Sequence, residues 1–491
     1  MRCRPFLAAL AVLSALSLPA CAQGPSREAL PSPVLAALQR AQVPPAAFSA
    51  IVAPLDAPEA RLRHQSAAVV NPASVMKLVT TYAAIDLLGP AHTWRTRFYT
   101  DGAIEGGALR GNLYVRGGGD PKFVLERVQE AFYVLHDQGA QVILGDLVLD
   151  HSAFDVPDRD PGAFDGEALR PYNASPDALL VNFKSVVLKF VPDPAAGVAR
   201  VLSEPPLAGV AIDATVPLSG GPCGDWRTGL QGRFDDPARI AFEGRYPLRC
   251  GEGQWPLAYQ EPSSFAARAL EGLWRNTGGL LTGRVRAGLV PAQATLLLDA
   301  PSLPLSEIIM DVNQWSNNVM AQQVFLTLGT LAPQATALPG AGPLPLPRSG
   351  FDQARAVVGD WWRRTFGPRV PAPVIDNGSG LSRDERITPE ALALLLRHAA
   401  RHPAAETFVG SLSLAGVSGT ARRYATRADH PVFGNAWLKT GSLRDVQGVA
   451  GYVKAANGTR YVVVAFVNHP NAGAARPALE ALVEWTARLS D

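Results

Sequence analysis

Asn71-Pro72-Ala73-Ser74-Val75-Met76-Lys77-Leu78-Val79-Thr80-Thr81 is the stretch on which the reading of this chain turns. Asn71 suits a helix N-cap and Pro72 the first helical position. The residues that follow are apolar on nearly every side (Val75, Met76, Leu78, Val79, Tyr82, Ile85), so the helix predicted over 74–88 belongs inside a domain. Ser74 and Lys77 interrupt it, three residues apart and therefore on one face. A serine hydroxyl is a poor nucleophile until a base takes its proton. Lysine can be that base only when neutral, and burial near a second cation drives its pKa toward that state. Ser74 also occupies a first turn, where free N–H groups and the helix dipole favour negative charge.

Two more short motifs follow in order. Ser316-Asn317-Asn318 falls at a break between helical patterns over 305–315 and 319–328, and Lys439-Thr440-Gly441 ends an apolar strand over 436–440. S-x-x-K, S-D-N and K-T-G in this order mark penicillin-binding proteins and class A β-lactamases. Asn317 stands where that pattern has aspartate, and the outer two residues are kept. Ser316 is suited to relaying a proton to a leaving amine, and Asn318 to binding a substrate amide. Lys439, with the Thr440 and Ser442 hydroxyls, is expected to hold a terminal carboxylate. Gly441 would let a substrate backbone pair as an added strand. The N–H groups of Ser74 and Ser442 would form an oxyanion hole.

The remaining sequence sets the frame. At 491 residues the chain is too long for one core. It is 47% hydrophobic and 18% charged, and its net charge of +2 is spread without a basic stripe, which excludes nucleic acid as a partner. Residues 1–22 read as a signal peptide: Arg2 and Arg4 precede an apolar run too short to span a bilayer, and Ala20-Cys21-Ala22 has the pattern a signal peptidase cuts after. Lipidation at Cys21 is the rival, disfavoured by Pro19. No later stretch suits a transmembrane helix. Export makes a Cys223–Cys250 disulfide the default for the two remaining cysteines.

Strand-and-turn patterns occupy 94–150 and 182–300. Helical patterns cover 306–328, 352–366, 389–400 and 475–489, and 449–455 with 461–467 form a hairpin turning at Asn457-Gly458. Residues 338–348 read as a loop. His398 and His402 have metal-ligand spacing without a third ligand, so they read as a solvated helix face. Gly117-Gly118-Gly119 reads as a turn, not a phosphate loop. Neither a metal nor a cofactor is called for.

The chain resembles the class C low-molecular-mass penicillin-binding proteins, the D-alanyl-D-alanine carboxypeptidase/endopeptidase type. The resemblance rests on 71–81, Arg116-Gly117-Gly118-Gly119-Asp120-Pro121, Ser316-Asn317-Asn318-Val319-Met320-Ala321-Gln322, Asp376-Asn377-Gly378-Ser379-Gly380-Leu381-Ser382-Arg383 and 439–445. It implies an α+β, serine β-lactamase/transpeptidase-like domain, an antiparallel sheet flanked by helices, over 29–95 and 301–491. The 242 residues from Ser74 to Ser316 (316 minus 74) leave room for two nested β-rich insertions, one over 96–181 and 282–300, the other over 182–281. It also implies periplasmic action on peptidoglycan peptides, acylation by β-lactams, and an acidic insertion residue (Asp155, Asp165 or Glu167) facing a diaminopimelate amine. A β-lactamase shares the motif residues, and a silent β-lactam- or wall-binding module is the other rival. The deacylating Glu-x-x-x-Asn element of class A lactamases is missing: Glu261-Pro262 begins like one, but Ser263-Ser264-Phe265 follows.

Overall fold

The C-terminal run Tyr461-Val462-Val463-Val464-Ala465-Phe466-Val467 is apolar without alternation, which suits a strand covered on both faces. The computed structural model describes residues 29–332 and 348–490, and there this run lies inside a six-stranded sheet. Its spatial order is Leu62–His64, Phe48–Pro54, Arg460–Asn468, Val446–Lys454, Ala436–Leu443, Ser413–Leu414, with every neighbouring pair antiparallel. Alternate side chains go to different cores. Ile51, Val462, Val464 and Phe466 join helices Lys77–Leu88, Leu305–Trp315, Asn318–Gly329, Phe351–Phe366 and Pro389–Ala399. Ala50, Val52, Val463 and Ala465 join Ser32–Arg40 and Arg476–Ala487 on the other face. The expected hairpin is present, with Tyr452 opposite Val462.

A further hydrophobic core is drawn from residues between Phe98 and Leu281. It is built around a mixed five-stranded sheet (Val285–Ala287, Leu147–Asp150, Leu113–Arg116, Arg95–Thr100, Thr295–Pro301) and a second five-stranded sheet whose long hairpin is Ser185–Asp193 with Val198–Glu204. Two long helices, Leu125–Asp137 and Pro262–Asn276, and a short one, Trp226–Leu230, cross this region, where the sequence read only as strands and turns. The buried stripes of the two long helices (Val128, Ala131, Phe132, Leu135; Phe265, Ala266, Ala269, Leu270) pack into the same core. Glu261 is the N-cap residue of the second long helix and lies 3.8 Å from Arg268. The Cys223 and Cys250 sulfurs are bonded, with Cα atoms 4.9 Å apart.

The segments 1–22 and, apart from Arg348, 338–348 lie outside the described residues. Among the described residues no helix is long and apolar enough to cross a membrane. Of the two histidines, His398 is exposed, as a solvated helix face predicts, while His402 is half-buried. Tyr82 Oη pairs with His398 Nδ1 at 2.5 Å, and His402 Nε2 lies 3.1 Å from Asp86 Oδ1, because both rings pack around the fully buried Tyr82.

Candidate active site

The helix that begins at Lys77 is preceded by a 3-10 turn, Ala73–Met76, so the α-helix starts three residues later than the periodicity predicts. In a 3-10 turn residues i and i+3 eclipse, which aligns Ser74 with Lys77 more closely than an α-helix would. Pro72, not Asn71, is the N-cap of this turn, and Asn71 braces it from one residue earlier: its Oδ1 accepts from the Ala73 N–H at 2.8 Å. Its backbone exchanges hydrogen bonds with the Asn468 side chain at the end of the central hairpin. Ala73 adopts φ of +48°, a conformation L residues rarely take. Two close approaches hold the turn there. A Cβ on Gly380 would lie 2.0 Å from the Ala73 oxygen, and one on Gly441 would lie 3.0 Å from the Ser74 nitrogen. Only glycine permits both contacts.

The three motifs close on one another. Lys77 Nζ lies 3.0 Å from Ser74 Oγ and 2.6 Å from Asn318 Oδ1, and it also donates to the Ser379 carbonyl. Lys439 Nζ donates to Ser316 Oγ at 2.9 Å and to the Thr440 carbonyl at 2.7 Å. Ser316 can turn toward Lys439 because it ends its helix in the left-handed conformation (φ 60°). Asn317 then caps the next helix, its Oδ1 accepting from Met320 N–H, as an aspartate would. Thr440 Oγ1 pairs with Thr420 Oγ1 at 2.9 Å, and the exposed Ser442 donates to Gln447 Oε1 at 2.9 Å.

Both lysines are fully buried. Burial draws the Lys77 pKa down to about 7, against the opposing pull of the Glu385 carboxylate. Burial, then repulsion from Lys77, holds Lys439 well below the ordinary lysine range. A neutral amine has two N–H donors and one lone pair. Asn318 Oδ1 and Ser379 O accept the two donors, which leaves the lone pair for the Ser74 hydroxyl proton.

The sequence reading missed the groups that complete this cage. Ser379 contributes a backbone oxygen. Glu385 accepts the N–H groups of Asp376, Asn377 and Gly378 on Oε1, has no partner for Oε2 among the described residues, and is pushed up to about 7 by burial. Asn318 Nδ2 donates to the Tyr172 carbonyl. Beside the 376–385 loop lies a cavity of about 290 Å³, lined among others by Arg159, Asp160, Phe164, Gln322, Arg383 and Asp384. Of the expected acidic residues, Asp165 accepts from Tyr172 and Asn173 and Glu167 from Arg170, and neither they nor Asp155 are among the lining residues.

A model of the D-Ala-D-Ala carboxypeptidase 3 (S13) family matches residues 34–489. The chain belongs to this family. This S13 member is 25% identical over 405 residues to D-alanyl-D-alanine carboxypeptidase DacB of Haemophilus influenzae, spanning 82% of this chain and 81% of that protein. It is 28% identical over 440 residues to a D-alanyl-D-alanine carboxypeptidase of Actinomadura sp. strain R39, spanning 83% and 75%. Its fold is similar to the crystal structure of penicillin binding protein 4 from Haemophilus influenzae, with a TM-score of 0.71 at 22% identity, covering 92% of this chain and 99% of that one.

Proposed function

We propose that this enzyme hydrolyses D-alanyl-D-alanine bonds in peptidoglycan stem peptides through an acyl-enzyme on Ser74, and that β-lactams acylate the same serine. The observation that carries the reading is the environment of Lys77, a buried amine with two acceptors for its N–H groups and Ser74 Oγ at its third position. Lys77 takes the hydroxyl proton as Ser74 attacks the carbonyl. The Ser74 and Ser442 N–H groups, adjacent where Gly441 packs on the Ser74 turn, receive the oxyanion. Ser316, bonded to Lys439, returns a proton to the leaving D-alanine, and Thr440, Ser442 and Lys439 face its carboxylate. Hydrolysis of the ester completes the cycle without a cofactor. Asn318 acts on Lys77 as well as on the substrate amide.

The cavity beside the 376–385 loop carries both charge signs, Arg159 and Arg383 with Asp160 and Asp384, which suits the zwitterionic end of a diaminopimelate side chain. Removal of 1–22 would release the enzyme into the periplasm, with lipidation at Cys21 as the alternative. The segments 96–181 with 282–300, and 182–281, are taken as nested insertions that build one wall of the cleft. The test is incubation with a fluorescent penicillin and with a D-Ala-D-Ala peptide. A stable adduct on Ser74 together with release of D-alanine supports the reading. Rapid penicillin turnover would make the protein a lactamase, and an adduct without peptide cleavage would make it a sensor.

A further inference from the structure

Asn318 accepts from Lys77 only because its amide is turned the right way, and the group that turns it lies outside the catalytic motifs. Its Nδ2 donates to the Tyr172 carbonyl at 3.1 Å. Tyr172 belongs to a 3-10 turn, Pro171–Asn173, in the chain between the first two motifs. An amide whose nitrogen is held on one side offers its oxygen on the other. Beside it, Ala174 and Leu180 pack on Val319, with Phe183 against the same cluster. Farther along the Asn318 helix, the fully buried Gln323 grips the Asp177 backbone. Its Oε1 accepts the Asp177 N–H at 3.0 Å and its Nε2 donates to the Asp177 carbonyl at 2.8 Å. Residues 172–183 thus form a strap along the helix that starts at Asn318.

Charge holds the strap from behind. The Asp177 carboxylate lies 2.9 Å from Lys184 Nζ and 2.5 Å from His151 Nδ1, and it accepts the Leu179 N–H at 2.9 Å. Lys184 also reaches Ser175 Oγ at 3.4 Å. Burial would push the Asp177 carboxyl up, but Lys184 and His151 hold it well below the usual carboxylate range. The backbone bends sharply to bring Lys184 there: Asn182, Phe183 and Lys184 take φ values of 42°, 57° and 51° in succession. Three consecutive left-handed non-glycine residues persist only where surrounding contacts over-determine them.

We infer that Asp177, Lys184 and Gln323 are positioning residues for acylation: they fix the Tyr172 carbonyl, which fixes the Asn318 amide, which leaves the Lys77 lone pair free for Ser74. If the strap loosens, the amide can turn over and offer its NH₂ to Lys77. The lone pair then accepts from the amide instead of from the Ser74 hydroxyl, and the ammonium form loses a carbonyl acceptor. The inference rests on the reading of Ser74 and Lys77 as nucleophile and base.

The test compares second-order acylation rates by a fluorescent penicillin, across the pH range in which Lys77 titrates, for wild type, Lys184→Met, Asn318→Ala and the double variant. Lys184→Met should lower the plateau rate by about 3- to 30-fold, the usual scale of coupling from residues outside a site. Its acid limb should move to lower pH, because the ammonium form has lost an acceptor. Glu385 and Lys439, the charged groups facing Lys77, are unchanged in this variant. In the Asn318→Ala background Lys184→Met should change neither rate nor midpoint. Should Lys184→Met not fold, Asp177→Asn/Lys184→Met removes both charges and leaves no aspartate buried beside an empty partner. An unchanged plateau, a lower plateau with an unmoved midpoint, or equal losses in both backgrounds would overturn the inference. Wild type that is never labelled on Ser74 would instead overturn the reading beneath it.

Discussion

Acylation of Ser74 should follow the titration of Lys77. With its pKa near 7, the neutral base makes up about a tenth of the enzyme at about pH 6 and about nine-tenths at about pH 8. The acylation rate should therefore rise about tenfold between those points and level off above them. A lysine left near 10.5 would give a roughly hundredfold rise over the same interval and still be climbing at about pH 9. Glu385 sharpens the test. Its carboxylate is the charge that pulls the Lys77 pKa back up, and its own pKa is raised to about 7 by burial, so the two groups titrate as a pair. Glu385→Gln keeps Oε1 for the three backbone N–H groups and deletes the charge. Without that attraction the ammonium form is less favoured, the Lys77 pKa falls, and the acid limb moves to lower pH. Because Glu385 is itself largely protonated at about pH 6, the variant's gain over wild type is concentrated around about pH 7, where Glu385 carries its charge, and stays below the roughly tenfold that a full unit, about 1.4 kcal/mol, would allow. Stopped-flow acylation with a fluorescent penicillin, followed over pH, reads both profiles. A wild-type rate that does not depend on pH would refute the assignment of Lys77 as the base, and a Glu385→Gln midpoint that stays put or moves up would refute Glu385 as the charge that opposes its fall.

Ser74→Ala should abolish penicillin labelling and peptidase activity with an unchanged melting profile, and Lys77→Ala should lower the acylation rate by ~10²–10⁴-fold; labelling that persists in Ser74→Ala would remove the serine from the mechanism. Lys439→Gln should impair cleavage of free-carboxylate substrates more than of their carboxamide analogues, whereas equal losses would assign Lys439 wholly to Ser316. Titration of the unreduced mature protein should find no free thiol at Cys223 or Cys250, and reduction of their 27-residue loop should cost about 3 kcal/mol in urea unfolding. Intact-protein mass spectrometry after a penicillin pulse should show one drug mass persisting for minutes, since the tethered leaving amine stays in the path of water; an adduct gone within about a second, with penicillin consumed catalytically, would make the protein a lactamase.

What could be read from the sequence follows from what side-chain patterns encode. The hairpin at Asn457-Gly458 was legible because turn chemistry and two apolar runs agree, and the break at Ser316 because polar residues interrupt apolar elements; the strand expected to end at Thr440 instead stays paired through Gly441 and Ser442 to Leu443. The helices Leu125–Asp137 and Pro262–Asn276 escaped notice although Val128, Ala131, Phe132 and Leu135, and Phe265, Ala266, Ala269 and Leu270, carry helical spacing. Each lies among strands as short as two residues, such as Val142–Ile143 and Leu280–Leu281, whose turn signals dominate any longer window. The 3-10 start of the catalytic helix carried no local signal. Its strained Ala73 is held by Gly380 and Gly441, some 300 and more residues away in the chain, so tertiary packing overrides the helical preference of 74–76.

The site divides in the same way. Ser74, Lys77, Ser316, Asn318 and Lys439 are named by side-chain identity, and the structure brings all five together. What suits Lys77 to the proposed role of base is less visible in sequence. One of its acceptors is the Ser379 backbone oxygen, which any residue at that position would also supply. The other is an amide whose direction depends on the Tyr172 carbonyl, 146 residues from Asn318. Glu385, which sets how far the pKa falls, lies six positions past Ser379 and is recognisable only by its burial beneath three backbone N–H groups. A motif search can therefore identify the proposed nucleophile and base but not the protonation state on which the proposal depends. That state belongs to the cage, and the cage is assembled from the 376–385 loop and the strap as much as from the three motifs.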